Sequence, residues 1–152
     1  MRTDTASRII KATPQRIYDA FLDPNAVASW RPPKGMTARI YAFEAREDGR
    51  YRMAFLYKDE KHQTRGKTLE HADVFDGRFV KLEPGKRIVE EVKFESEDPG
   101  FADAMRITTT LTSIPDGTEV RFVCENVPPS IKPEDHQAGM ASTLENLAAF
   151  VE

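Results

Sequence analysis

The strongest constraint on the fold is a long stretch, from Thr37 to Val127, in which candidate strands follow one another with no helical pattern between them. The candidates are residues 38–46, 49–59, 67–75, 78–83, 87–95, 105–114 and 118–127. Apolar and polar residues alternate in them, as is typical of half-buried strands. Turn-forming dipeptides separate several of them, at Asp48-Gly49, Asp76-Gly77, Pro84-Gly85, Pro99-Gly100 and Asp116-Gly117. The stretch therefore predicts an antiparallel meander and excludes a doubly wound parallel sheet.

Two short helices are predicted before this meander. A strand candidate at residues 8–12 is followed by Thr13 and Pro14, which are favourable N-cap and first-turn residues. Residues 23–25, "DPN", end that helix and cap a second one over "AVASW", and the prolines at 32 and 33 end the second.

One long helix is predicted to close the chain. It begins at Pro133 and is interrupted only by Gly139. Its apolar stripe consists of Met140, Leu144, Leu147 and Val151. The fold class is therefore α+β, with a curved antiparallel sheet that buries one face against the final helix. Such a pair of layers can leave a ligand cleft between them.

Composition fits a single domain over residues 1–152. The chain is 39% hydrophobic and has 22 basic and 25 acidic residues, interspersed, for a net charge of −3. This balance argues against nucleic-acid binding. No apolar run reaches the roughly 20 residues of a membrane span, so no membrane insertion is expected. A lone cysteine and a polar N-terminus predict a cytoplasmic protein.

Several strings resemble the START-like helix-grip (SRPBCC) superfamily, and within it the homologues of the activator of the heat-shock-protein-ninety ATPase. They are "TPQRIYDAFLDPNAVASW", "GMTARIYAFEAREDGRYRMAF", "GRFVKLEPGKRIVEEVKFE", "MRITTTLT" and "LENLAAFVE". The resemblance implies a sheet that grips the C-terminal helix around an elongated cavity. The chain has Asp48-Gly49 where such sequences often have two glycines, and Gly139-Met140 where they often have glycine and tryptophan.

The inward faces of the strands and helices predict an apolar ligand pocket. The proposed lining is Trp30, Met53, Phe55, Tyr57, Val92, Met105, Ile107, Thr109, Phe122, Met140 and Leu144. An ordinary core is the alternative for this set, and simple packing is the favoured role of Trp30. Methionine adapts to varied partners, and buried hydroxyls on Tyr57 and Thr109 would need a hydrogen-bond partner, which a ligand can supply.

Glu70, Glu90 and His136 are the candidates for ionisable groups in the pocket. The expected position of both glutamates is the solvated outer face, and that of His136 is the surface at the first turn of the last helix. Only one of Glu70 and His71 can point inward, because they are adjacent in a strand.

The remaining histidine and the cysteine suggest no chemistry. His62 is expected in an exposed loop and Cys124 as a buried, unreactive thiol. The spacing of these residues matches no metal site, and no phosphate-binding loop or nucleophile motif occurs, so neither a metal nor a cofactor is predicted.

These observations leave three functions open. The first is a module that binds a hydrophobic small molecule. The second, implied by the resemblance, is a chaperone cofactor that stimulates a heat-shock-protein-ninety ATPase in a stress response. The third is an enzyme of the cyclase or aromatase type. The edge strands of the sheet are also compatible with a homodimer.

Overall fold

The structure is a computed structural model that describes residues 1–57, 72–101 and 103–152. These residues form seven strands, three α-helices and a short 3-10 helix at Pro99–Phe101. The strands are β1 (Thr3–Ile10), β2 (Met36–Phe43), β3 (Arg50–Tyr57), β4 (Ala72–Glu83), β5 (Arg87–Phe94), β6 (Met105–Ile114) and β7 (Gly117–Glu125). The helices are α1 (Pro14–Phe21), α2 (Pro24–Trp30) and α3 (Pro133–Val151).

All seven strands belong to one antiparallel sheet, in the order β1-β7-β6-β5-β4-β3-β2. Strands β2 to β7 follow one another as a meander, and β1 joins the far side of β7. The α+β class, the curved antiparallel sheet and the two short helices after the first strand are thereby confirmed.

A predicted turn between two strands is wrong. Strand β4 runs without interruption through Asp76-Gly77, where a turn between residues 67–75 and 78–83 was expected. Gly77 lies opposite Tyr51 of β3, and a Cβ atom on Gly77 would overlap the ring of Tyr51. The glycine therefore makes room for a ring on the neighbouring strand and does not form a turn.

The first strand is longer than predicted and ends earlier. It covers Thr3–Ile10, whereas residues 8–12 were expected, because the whole segment from Thr3 to Ile10 pairs with residues 118–125 of β7. The short polar residues at its beginning carry little strand signal of their own, so the pairing partner determines the strand.

The starts of the short helices agree with the sequence. Thr13 caps α1 by accepting a hydrogen bond from the Arg16 amide at 3.2 Å, and Asp23 caps α2 by accepting one from the Asn25 amide at 2.9 Å. Each cap is followed by proline at the first helical position.

The long helix α3 packs its predicted stripe against the sheet. Met140, Leu144, Leu147 and Val151 are all at most 5% exposed. Together with inward residues of β3 to β7 they form one hydrophobic cluster. The position of α3 over the sheet leaves a cavity between the two layers.

Candidate functional site

The cavity has a volume of about 520 Å³. Its walls come from the inner face of the sheet, from α3 and from the end of α2. The apolar part of the lining includes Phe21, Trp30, Phe55, Val92, Met105, Ile107, Phe122 and Met140. A concave, mainly apolar space of this size is typical of small-molecule sites.

Most of the predicted pocket residues lie in this wall, namely Trp30, Phe55, Val92, Met105, Ile107, Thr109, Phe122 and Met140. The other three predicted residues, all within the described part of the chain, are not in the lining. Met53 and Leu144 are buried in the core, where neighbouring side chains cover them completely or almost so. Tyr57 is the last residue of β3 and is 38% exposed.

Trp30 is a fixed part of the wall. It is 1% exposed, its indole Nε1 donates to the Ala20 carbonyl oxygen at 2.9 Å, and its ring centroid lies 4.6 Å from that of Phe21. This hydrogen bond and ring contact join α2 to α1. The tryptophan therefore has the packing role and also contributes surface to the cavity.

A buried ionic cluster lies beside the apolar wall. Arg31 donates from Nη1 to Glu90 Oε1 at 2.8 Å, and the Tyr51 hydroxyl donates to the same oxygen at 2.6 Å. Arg31 Nη2 also donates to the Tyr51 hydroxyl at 3.3 Å. Glu90 is only 1% exposed, so the expectation that it lies on the outer face is wrong. Its charge is tolerated there because Arg31 and Tyr51 compensate for the lost water.

Two members of the cluster, Tyr51 and Arg31, each keep one protonation state. Burial raises the pKa of Tyr51 well above its usual value, although Arg31 opposes this shift, so the group remains a phenol. Burial alone would lower the pKa of Arg31, but the Glu90 carboxylate and Tyr51 reverse that effect and raise it. Arg31 therefore remains a cation.

Two polar groups of the lining have unused hydrogen-bonding capacity. Glu90 lines the cavity, and both hydrogen bonds that it accepts from the described residues go to Oε1, which leaves Oε2 without a donor among them. Thr109 also lines the cavity and is 0% exposed, and its Oγ1 has no hydrogen-bond partner within residues 1–57, 72–101 and 103–152. A buried hydroxyl without a partner costs about 1 to 3 kcal/mol.

A second polar cluster connects α3 to β1. His136 Nδ1 lies 2.7 Å from Asp4 Oδ2, and Arg2 Nη2 donates to the same oxygen at 2.9 Å. The His136 side chain is 14% exposed and lines the cavity, so it is not the surface histidine that the sequence suggested. Hydrogen bonds from Arg2 and then His136 lower the pKa of Asp4, against the opposing effect of burial.

Cys124 and Met140 place two sulfur atoms in the wall, 3.9 Å apart. Burial raises the pKa of Cys124 to about 12, so the thiol stays protonated, as a buried and unreactive cysteine would. Met140 occupies the position at which the sequences that this chain resembles often have tryptophan.

Sequence reasoning missed Arg31 and the inward position of Glu90. Strand alternation was the available signal for Glu90, because Val92 was expected to face inward and a residue two positions away shares its face. For Arg31 no local signal exists. Glu70, His71 and His62 lie outside the described residues.

Comparison with known proteins places the chain in a family. The sequence model of the family "Activator of Hsp90 ATPase homolog 1-like protein" matches residues 11–152. The chain belongs to this family. A crystal structure of a protein from Chromobacterium violaceum is similar at 36% identity and a TM-score of 0.85, covering 99% of this chain and 96% of that one.

More distant structures share the fold. The solution structure of an AHSA1-like protein from Aeromonas hydrophila has 18% identity and a TM-score of 0.73, with coverage of 99% of this chain and 92% of that one. A crystal structure from Mycobacterium smegmatis has 16% identity and a TM-score of 0.72, with coverage of 99% and 90%. This chain thus has the START-like helix-grip fold.

The comparison with curated proteins gives no match. Within the described residues, no helix is long and apolar enough to span a membrane.

Proposed function

We propose that this protein binds a small apolar or amphipathic molecule in the cavity between the sheet and α3. The observation that carries the proposal is the cavity itself, about 520 Å³ in volume and walled mainly by aromatic and aliphatic side chains. Protein interiors are usually packed with few voids larger than a water molecule, so a space of this size favours an occupant.

The polar groups support the same function. Ligand sites commonly combine apolar walls with a few placed polar groups that determine orientation. Here those groups are Glu90, held by Arg31 and Tyr51, and the Thr109 hydroxyl, which has no partner in the part of the chain that the structure describes.

Titration with an environment-sensitive apolar dye tests the proposal, followed by displacement with lipids and aromatic compounds. We expect saturable binding that Ile107→Phe weakens, because the added ring volume projects from the cavity wall. Thr108→Phe is the matched control, since the neighbouring residue points to the other side of β6. Absence of dye binding by the folded protein, or equal effects of the two variants, would contradict the proposal.

The family description motivates a second candidate function, stimulation of an Hsp90 ATPase. This function would use the outer surface and would not require the cavity. The test is the ATPase rate of the chaperone from the same organism, measured with and without this protein. An unchanged rate at saturating protein removes this candidate and leaves the binding proposal intact.

A further inference from the structure

We infer that the cavity selects ligands that carry a neutral hydroxyl group on an apolar body, with the hydroxyl bound between Glu90 and Thr109. This inference rests on the proposed binding function and assigns it a ligand class. It follows from three features of the lining: an acceptor oxygen that receives no donor from the described residues, a hydroxyl without a partner among them, and a buried cation that is already paired with Glu90.

Glu90 supplies the acceptor. Its Oε1 receives hydrogen bonds from Arg31 Nη1 and from the Tyr51 hydroxyl, which fix the carboxylate in one orientation. Its Oε2 receives none from the described residues, although the side chain lines the cavity and is almost completely buried. A hydrogen-bond donor on a ligand is the group that satisfies this atom.

Thr109 supplies the second contact. In the pairing of β5 with β6, Glu90 lies opposite Ile107, and Thr109 lies opposite Ile88. Glu90 and Thr109 are therefore diagonal neighbours on the same face of the sheet, with Cα atoms about 7 to 8 Å apart. Both residues also line the cavity. A ligand hydroxyl can donate to Glu90 Oε2 and at the same time accept from the Thr109 hydroxyl.

The charge balance favours a neutral group. Arg31 and Glu90 already compensate each other, and Arg31 directs Nη1 and Nη2 at Glu90 and Tyr51. A ligand carboxylate would place a second anion beside Glu90 Oε2, and a ligand ammonium would add an uncompensated buried charge. The other carboxylates of the lining, Asp73, Glu95 and Asp135, belong to exposed residues. The ring of His136 is paired with Asp4, and Cys124 is a protonated thiol.

The experiment compares four probes that share one ring system, by displacement of the apolar dye. They are naphthalene and three derivatives substituted at one ring position: naphthol, methoxynaphthalene and naphthoate. Methoxynaphthalene can accept a hydrogen bond but cannot donate to Glu90. We expect naphthol to bind about tenfold or more tightly than methoxynaphthalene, the effect of one hydrogen bond to a charged acceptor. Naphthoate should bind more weakly than naphthol.

Thr109→Val isolates the second contact. Valine keeps the branched shape and removes only a hydroxyl that no described residue contacts by a hydrogen bond, so the variant should fold normally. We expect the preference for naphthol over naphthalene to fall about threefold or more. Thr110→Val, on the other face of the same strand, should retain the full preference.

The outcomes separate this inference from the function on which it rests. Equal binding of naphthol and methoxynaphthalene, tightest binding of naphthoate, or an unchanged preference in Thr109→Val would overturn the hydroxyl assignment while leaving the pocket in place. Failure of the dye and of every probe to bind would overturn both.

Discussion

Arg31 and Glu90 lie 59 positions apart in the sequence and form a buried ion pair, with Arg31 Nη1 2.8 Å from Glu90 Oε1. The contact joins the residue after α2 to the middle of β5, at the wall of the cavity. A buried pair of this kind does not by itself show a net gain in stability, because both charges lose water. Its structural effect is to hold the carboxylate of Glu90 in one orientation.

Removing the cation from this pair should destabilise the protein strongly. In Arg31→Met, Glu90 is left as a buried carboxylate with only Tyr51 as a partner, and we expect the free energy of unfolding to fall by about 3 to 5 kcal/mol. Urea denaturation followed by circular dichroism measures this change.

Two comparisons make the measurement specific to the buried pair. Arg52→Met breaks the solvent-exposed ion pairs with Asp76 and Glu95 and should have a much smaller effect. The double variant Arg31→Met with Glu90→Gln should regain much of the lost stability, because no unpaired charge remains. Similar losses in Arg31→Met and Arg52→Met would show that the buried pair has no special role.

Local chemistry made part of this fold predictable from the sequence. The helix starts at Thr13-Pro14 and Asp23-Pro24 depend on contacts within three residues, and the sequence contains all of them. The Asp76-Gly77 pair has the same composition as the hairpin turn at Asp116-Gly117, but Tyr51 on another strand determines its role. No local pattern distinguishes the two dipeptides.

The candidate site was predictable to a similar extent. Alternation along β5 and β6 identified Val92, Met105, Ile107 and Thr109 as inward-facing residues, which the cavity lining contains. The same alternation places Glu90 inward, but a charged residue is expected outside unless a partner is known. That partner, Arg31, is distant in the sequence, so only the tertiary structure reveals it.

Two glycines should respond in opposite ways to alanine. Gly139 lies within α3, and a Cβ atom there would have no neighbouring heavy atom within 4 Å. Gly139→Ala should therefore raise the free energy of unfolding by about 1 kcal/mol through helix propensity. Gly77→Ala should lower it by about 3 kcal/mol, because the new methyl group collides with the ring of Tyr51. Thermal unfolding of both variants tests the pair, and a stabilised Gly77→Ala would refute the close approach.

Stability should decline in acid partly through Asp4. Arg2, followed by His136, holds the pKa of Asp4 below its usual value of 3.8. Because the pKa is lower in the folded state, the stabilising contribution is present above the unfolded value and is lost as the pH falls through the folded value. Asp4→Asn should therefore lower stability near neutral pH and flatten the loss of stability between about pH 5 and pH 1.

The matched control for this pH dependence is Asp116→Asn, which makes the same chemical change in an exposed turn. It should retain the acid dependence of the unmodified protein, as followed by urea midpoints across the pH range. An acid dependence that is identical in Asp4→Asn and the unmodified protein would exclude the Asp4 cluster as its source.

A substitution at Met140 tests directly whether the cavity can accept a larger side chain. It faces the sheet from α3, lines the cavity and contacts Cys124 through its sulfur atom. Inserting a larger side chain into a filled core typically costs about 1 to 3 kcal/mol, whereas an open cavity can accept it. We therefore expect Met140→Trp to leave the free energy of unfolding nearly unchanged, or to raise it, while weakening the binding of an apolar dye.

The control is Leu147→Trp, on the same stripe but in the packed core, which should be strongly destabilised. If Met140→Trp is destabilised as much as Leu147→Trp and its dye binding is unaltered, the methionine is ordinary core and the dye binds elsewhere.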